Sequence, residues 1–229
     1  MKTFLKNNPF LPVLLLAALA GCRHHHGLNE PDYDSGSGYG SGRIATQVRH
    51  VSDCRGINLR YAGNVFLTQD TEQSILIEAD DNIIDQVVAQ ADNGILDVGL
   101  PGKSNSDITI KIYVSLKTIE SLSIEGAGNI TAQNHFACDG LTCLINGSGN
   151  ITIEGSGSSL DCTINGAGNI DAFGFQVNNC VARVNGAGNC SVDVTQNLDA
   201  SITGVGNITY DGNPQVKSSI TGIGRISRR

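Results

Sequence analysis

The sequence predicts an all-β protein built as a single-stranded β-helix, a solenoid in which successive coils of one chain stack on each other. Three observations lead to this prediction. A Gly-x-Gly-Asn-Ile motif recurs through the C-terminal half, the copies follow each other at a period near 20 residues, and the residues between copies alternate between apolar and polar. A fixed period of this size is typical of solenoid proteins.

The repeated motif predicts the corners of the coils. Its six copies begin 21, 19, 20, 18 and 18 residues apart. Two copies are irregular: the fourth carries Cys190 in place of Ile, and the sixth carries Arg225 in place of Asn. Two glycines in three residues allow a tight turn with positive φ, and Asn can bond the neighbouring coil, so we expect an amide ladder. The predicted corner residues are Gly126, Gly128, Asn129, Gly147, Gly149, Asn150, Gly166, Gly168, Asn169, Gly186, Gly188, Asn189, Gly204, Gly206 and Asn207.

The residues before each motif predict strands with one buried face. An apolar β-branched residue stands two positions before the first glycine in every copy, and smaller apolar residues usually stand four positions before it, with mostly polar residues between. Such period-2 alternation is the pattern of a half-buried strand. The first of these columns consists of Ile124, Ile145, Ile164, Val184, Ile202 and Ile220.

The segment 44–121 is less regular, but it is also rich in strand patterns. A short helix is predicted near 82–90, with Asp80 or Asp81 as its cap and an apolar face that covers part of the solenoid. That face consists of Ile83, Ile84, Val87 and Val88. The predicted strands of this segment are 56–61, 64–68, 74–79, 94–98 and 107–114.

The N-terminus predicts export and lipid anchoring. Residues 1–21 have a basic start and a short apolar run that is typical of a secretory signal peptide. They end in Leu19-Ala20-Gly21-Cys22, which resembles a bacterial lipobox, so we expect Cys22 to carry lipid, palmitate included, and to hold the protein on a membrane. The next residue, Arg23, resembles the outer-membrane default of Gram-negative lipoproteins.

The rest of the chain is predicted to be a tether and one domain. Residues 22–43 contain a Gly/Ser-rich stretch that is typical of a flexible linker, and residues 44–229 form the β-helix domain. The net charge of the chain is −7, which argues against a nucleic-acid partner. Removal of residues 1–21 takes away Lys2 and Lys6, which leaves 13 basic and 22 acidic residues and a net charge of −9.

Several segments together resemble the head GIN domain family, which is also called auto-transporter adhesin or DUF2807. They are the Gly-x-Gly-Asn-Ile series, Gly63-Asn64-Val65, and the segment 80–84 before Asn93-Gly94. The resemblance covers about residues 47–226. It implies a right-handed, pectin-lyase-like β-helix without a recognised catalytic set, on a secreted or lipid-anchored bacterial protein with a role in adhesion.

The sequence leaves open whether the cysteines form disulfides or remain free thiols. An even number of cysteines in an exported chain suggests disulfides, and Cys143 and Cys162 share a column of adjacent coils, as a bond requires. However, four of the six fall in inward columns, where a free thiol acts as a small apolar filler. No Cys–His pairing has zinc spacing, so neither a metal nor a cofactor is predicted. The six cysteines beyond Cys22 are Cys54, Cys138, Cys143, Cys162, Cys180 and Cys190.

The sequence favours a binding module over an enzyme. The acids of the repeats lie in different registers, Arg183 is the one basic residue of the repeats before Lys217, and the chain has no Trp. Outward hydroxyls such as Thr131, Thr152 and Ser191 would contact a glycan or a protein surface. The alternatives are a polysaccharide lyase or hydrolase on the same scaffold, and a purely structural envelope lipoprotein. The ligand, the oligomeric state and whether the protein faces the periplasm or the cell surface stay open.

Overall fold

The computed structural model describes residues 40–102, 108 and 110–229, and Cys22 with the predicted signal peptide and most of the tether lies outside them. The described chain is all-β, a solenoid of about five turns, which confirms the predicted fold class. Its strands are β1 Ile44–Arg49, β2 Gly56–Leu59, β3 Ala62–Gln69, β4 Ser74–Asp80, β5 Val88–Asp92, β6 Ile95–Gly99, β7 Ile110–Leu116, β8 Ser121–Ile124, β9 Ala127–Ala132, β10 Phe136–Ile145, β11 Ser148–Ile164, β12 Ala167–Val184, β13 Ala187–Ile202, β14 Val205–Asp211, β15 Gln215–Ile220 and β16 Ile223–Arg228.

The strands stack in two series, which we call wall A and wall B. Wall A runs in the order β1, β4, β7, β3, β9, the first parts of β11, β12 and β13, then β14 and β16. Wall B runs in the order β5, β6, β2, β8, the last parts of β10 to β13, then β15. From β3 and β2 onward the pairs within both walls are parallel, because each coil repeats the course of the previous one.

The core lies between the walls and follows the predicted alternation. In the column two positions before the motif, Ile124, Ile145, Ile164, Val184 and Ile202 are fully buried. The smaller column is also buried, with Cys143, Cys162, Ala182 and Ala200 at its centre. Apolar side chains on one face of each strand therefore meet inside the solenoid, and their burial drives the stacking of the coils.

The motif glycines and asparagines of successive coils lie in register. Gly149 and Asn150 pair with Gly128 and Asn129 on one side and with the corresponding residues of β12 on the other. A Cβ atom on Gly149 would overlap the carbonyl oxygen of Gly128, so the backbones at this corner approach more closely than any side chain permits.

The asparagine column forms a ladder of side-chain hydrogen bonds along wall A. The Nδ2 of each asparagine donates to the Oδ1 of the one before it, from Asn129 onto Asn64 at 2.8 Å to Asn207 onto Asn189 at 3.0 Å. A second ladder, which the sequence did not suggest, joins Asn146, Asn165 and Asn185 just before the glycines.

The predicted helix near 82–90 is wrong. The structure has a single 3₁₀ turn at Ile84–Gln86, and Val88 already begins strand β5. The apolar residues Ile83, Ile84 and Val87 are nevertheless buried against the core. Their spacing fits a helical face, but the segment is too short to form a helix because β5 pairs with β6 over Val88–Asp92.

Two edge strands, β1 and β5, were not expected. Strand β1 pairs antiparallel with β4, and β5 pairs antiparallel with β6. The N-terminal end of the solenoid is thus built from antiparallel additions rather than from further repeated coils, and the repeat motif gives no signal for them.

All six described cysteines are free thiols, and Cys138 alone among them is partly exposed. Cys143 and Cys162 are directly paired on β10 and β11. Hydrogen bonding with the thiols of Cys143, Cys180 and Cys190, together with burial, raises the pKa of Cys162 well above its usual value. These thiols fill core positions that leucine, alanine or isoleucine occupy in other coils.

Candidate ligand-binding groove

A groove runs along the outer face of wall B. It begins where β8 starts at Ser121 while the next coil's strand, β10, extends back to Phe136. Residues 137–140 therefore overhang the shorter coil, and a concavity of about 570 Å³ lies between them and residues 118–120. A second concavity of about 400 Å³ continues from Gly140 over β11, β12 and β13.

Parallel pairing places the groove's side chains in rows across the strands. One row carries Gly140, Ser159, Asn179 and Asn197, and its neighbour carries Thr142, Asp161, Val181, Asp199 and Lys217. Residues of one row stand about 4.8 Å apart, the spacing of neighbouring strands. The groove thus presents hydroxyls, amides and carboxylates at a regular interval.

Ion pairs hold the charged groups of the groove in place. Arg183 Nη1 donates to both carboxylate oxygens of Asp161 at 3.1 Å, and Lys217 Nζ donates to Asp199 Oδ2 at 3.1 Å. In the first row, Asn197 Nδ2 donates to Asn179 Oδ1 at 2.8 Å. These contacts are solvent-exposed and add little to stability, but they restrict the orientation of the side chains.

The wider end of the groove is lined by Glu120, Asp139 and the Cys138 thiol. Arg55 pairs with Glu120 at 2.8 Å across its rim. Burial, with smaller contributions from Cys143 and Asp139, raises the pKa of Cys138 to about 11. This thiol is therefore protonated at neutral pH and is a poor nucleophile.

The structure places the residues singled out from the sequence in different regions. The motif asparagines and Thr131, Thr152 and Ser191 lie on wall A, away from the groove. Asp161 and Asp199 share one row of wall B with Val181 between them. The sequence did not show that Arg183 and Lys217 pair with these acids, or that the short β8 opens a cleft beside Cys138.

Over the described ranges, no group of three or more His, Cys, Asp or Glu side chains is arranged to hold a metal ion. The same part of the chain has no helix with the length and apolar character needed to cross a bilayer. The groove's chemistry is that of hydrogen bonding and charge.

Comparison with known proteins identifies the family. The family described as "Putative auto-transporter adhesin, head GIN domain" (DUF2807) matches residues 54–214 of this chain. The chain belongs to this family. The groove, both walls and the two asparagine ladders fall mainly within the head GIN region, so they are features of the domain rather than of its flanks.

Solved structures share the fold of this head GIN domain. A protein from Bacteroides fragilis described as a "putative adhesin" superposes with a TM-score of 0.69 at 24% identity, over 83% of this chain and 99% of that chain. A protein from Parabacteroides distasonis described as a "putative lipid binding protein" gives a TM-score of 0.50 at 22% identity, over 83% and 98% of the two chains. No curated protein matches the chain. The family supports an adhesion-like role at the cell envelope or surface, and these structures show that the fold is shared.

Proposed function

We propose that this head GIN protein is an adhesion module of the bacterial envelope that binds a glycan along the groove of wall B without cleaving it. The observation that carries the proposal is the groove itself, where polar side chains recur on successive coils beside two concavities that meet at Gly140. A polymer with a regular chemical repeat matches a surface with a regular repeat. The family's adhesin relatives support the same role.

The chemistry of the rows suits sugars. Sugar hydroxyls can donate to the carboxylates of Asp161 and Asp199, and they can accept from Arg183 and Lys217, while the Asn179 and Asn197 amides do both. Since the ion pairs already orient these groups, less side-chain entropy is lost on binding. Val181 offers a small apolar contact between the two acids.

The arrangement of the acids favours binding over catalysis. Asp161 and Asp199 are two strands apart, about 9.6 Å at the usual strand spacing, and each is neutralised by its own cation. Glycosidases that retain configuration hold their two carboxyl groups only about 5–5.5 Å apart. Two carboxylates held by cations are better suited to accept hydrogen bonds.

The proposal is tested by glycan arrays and calorimetry on residues 40–229. The double variant Asp161→Asn/Asp199→Asn removes two groove charges without changing side-chain size, and we expect at least a tenfold loss of affinity for any glycan bound by the native protein. The control Asp171→Asn/Asp211→Asn removes two wall A charges whose contacts are local to their own turns, and it should bind normally. Equal affinities in both variants, or no bound glycan, would contradict the groove proposal.

Two further observations distinguish glycan binding from the two alternative functions. Shortening of a bound polysaccharide would show a lyase or hydrolase. A deletion strain with a weakened envelope and unchanged attachment would show a structural lipoprotein instead.

We also propose that the protein is anchored to the outer membrane through lipid on Cys22. The lipobox-like Leu19-Ala20-Gly21-Cys22 and the Gly/Ser-rich tether after it support this placement. A clickable palmitate analogue should label the native protein in cells, and Cys22→Ser should lose the label and leave the membrane fraction. A labelled Cys22→Ser protein, or an unlabelled native one, would contradict anchoring at this residue.

A further inference from the structure

The two ends of the solenoid differ in how completely they cover the hydrophobic core. At the N-terminal end, Ile83, Ile84 and Val87 cover the core and are at most 6% exposed. At the C-terminal end, Val216 and Ile220 continue the core columns of Leu198 and Ile202, yet they are 40% and 45% exposed. The last coil therefore presents an open apolar cross-section, and the terminal repeats of solenoids normally cover such a surface.

Both ends also present edge strands. Within the described ranges, β1 and β5 each have one neighbour at the N-terminal end, and β15 and β16 each have one at the C-terminal end. The wall A edges, β1 and β16, are both six residues long, and the wall B edges, β5 and β15, are five and six. Strand β1 runs in the same direction as β16, because two antiparallel pairings separate it from β7 and parallel pairings follow. Open edges of this length readily pair with another strand.

The charges at the two ends are opposite. From Gly212 to the C-terminal residue the chain has four cations and no acid, namely Lys217, Arg225, Arg228 and Arg229. At the N-terminal end, residues 40–49 and 80–92 hold three solvent-accessible acids, Asp81, Asp85 and Asp92, and the buried Asp80, against the two cations Arg43 and Arg49. Contact between two C-terminal ends would bring cations together, whereas contact between opposite ends brings cations to acids.

We propose that the C-terminal end of this domain docks on the N-terminal end of a second copy of the same chain. The β16 edge of one copy then meets the β1 edge of the next, β15 meets β5, and Val216 and Ile220 become covered. Such a contact is heterologous, so each copy keeps one free end and the copies join into lines. This contact uses the open edges of the terminal strands, whereas the glycan groove lies on the outer face of wall B, and Lys217 of β15 is the residue that the two share.

Thr46 provides a precise way to block the N-terminal edge. Asp81 donates its backbone N–H to the Arg43 carbonyl at 2.8 Å. Because bonded and non-bonded pairs alternate along an antiparallel ladder, the β1 residues whose backbone groups bond β4 are Ala45, Gln47 and Arg49. The N–H of Thr46 therefore points to the open edge. Thr46→Pro removes this donor without removing a bond to β4, and Thr46→Ala is the control that keeps the N–H.

Val216 provides the block at the C-terminal end. Val216→Lys places a charge on the inward face of the edge strand β15, a device by which natural proteins prevent edge pairing. The position is already 40% exposed, so the lysine reaches solvent through the open end. The control is Val205→Lys, the same change at an outward position of β14 that is 54% exposed.

The test is analytical ultracentrifugation of residues 40–229. We expect these residues to fold on their own, because the Bacteroides fragilis structure has the same fold and 99% of its length matches 83% of this chain. The native protein should form larger species as concentration rises, and less so at high salt, since salt screens the charges at the contact. Thr46→Pro and Val216→Lys should each be monomeric, while Thr46→Ala and Val205→Lys should associate like the native protein.

A mixture of the two blocked variants decides the geometry. Thr46→Pro keeps a free C-terminal end and Val216→Lys keeps a free N-terminal end, so together they should form a one-to-one dimer and nothing larger. That dimer also shows that both variants are folded. A native protein that stays monomeric at all concentrations would overturn the proposal, and so would dimers of Thr46→Pro alone, which indicate contact between two C-terminal ends.

Discussion

At each corner of the solenoid, the second glycine of the motif lies against the carbonyl oxygen of the same glycine in the preceding coil. Gly149 contacts Gly128 in this way, and Gly168 contacts Gly149. Both glycines also have a large positive φ, 155° and 153°. Two separate costs therefore exclude a side chain: overlap with the neighbouring backbone, and a backbone conformation that L residues rarely adopt.

We predict that Gly149→Ala destabilises the domain by about 2–5 kcal/mol, the sum of overpacking and backbone strain. Gly42→Ala is the matched control, because Gly42 also has a positive φ, 77°, but has no atom within 4 Å of the added Cβ. It should cost about 1–2 kcal/mol, for strain alone. Urea unfolding measures both, and equal losses would show that the stacking contact is not the cause.

The raised pKa of Cys138 predicts slow alkylation that speeds up with pH. With a pKa of about 11 instead of 9.0, Cys138 has about a hundredfold less thiolate at pH 8 than an ordinary thiol. Its alkylation rate, followed by mass spectrometry of its peptide, should rise about tenfold per pH unit up to about pH 11. In urea the same peptide should react as an ordinary thiol, and equal rates in both states would contradict the burial argument.

The sign of the linked stability change follows from the same shift. Between pH 9 and about 11 the folded chain keeps the Cys138 proton while the unfolded chain loses it. The contribution of Cys138 to stability is therefore complete below pH 9 and is lost as the pH rises to about 11.

At the scale of elements, the asparagine ladder ties neighbouring strands of wall A together. Asn169 donates its Nδ2 to Asn150, and its Oδ1 accepts from both the Nδ2 and the backbone N–H of Asn189. One side chain therefore joins three coils. We expect Asn169→Ala to lower the free energy of unfolding by about 1–3 kcal/mol, since it leaves two donors of Asn189 without this acceptor.

Asn213→Ala is the comparison for this prediction. Asn213 accepts one long contact, 3.5 Å from Arg228 Nη1, on the last turn, so its loss should change stability by less than about 0.5 kcal/mol. Thermal unfolding of the two variants side by side checks the ladder. A similar change in both would mean that water replaces the ladder bonds without cost.

The regular elements were predictable and the irregular ones were not. From Ser121 on, the strands follow from the alternation of apolar and polar residues and from the motif spacing, because each coil pairs with a neighbouring coil that has the same pattern. Strands β1 and β5 depend on pairing with distant segments, β4 and β6, which no local pattern records. The segment 82–90 has a helical spacing of apolar residues, but pairing of β5 overrides that local preference.

Much of the groove escaped prediction for a similar reason. The alternation predicts that Asp161 and Asp199 share a register, and the structure places them so. The cleft itself arises from a difference in length between β8 and β10, and strand ends are the least predictable part of a sequence pattern. Arg183 reaches Asp161 across neighbouring rows, a diagonal contact that depends on rotamers.

At the scale of the whole molecule, stability should fall toward the C-terminal end. In the part of the chain that the structure describes, strands β11, β12 and β13 have a partner on each side, whereas β15 and β16 have one, and β15 is exposed throughout. We predict that amide hydrogens of β12 exchange slowest and those of β15 and β16 fastest, measured by mass spectrometry on Val216→Lys so that association does not interfere. Uniform exchange along the chain would show that the coils open only together.

The in-register corners determine how the length of the solenoid can be changed. Neighbouring coils pair in register at these corners, so a chain with one more or one fewer coil would offer the same glycine and asparagine partners to the coils that flank the change. Each coil adds about 4.8 Å to the height of the stack, the spacing of neighbouring strands. The length of the domain is thus set in steps of one coil, and the corner contacts are the same at each step.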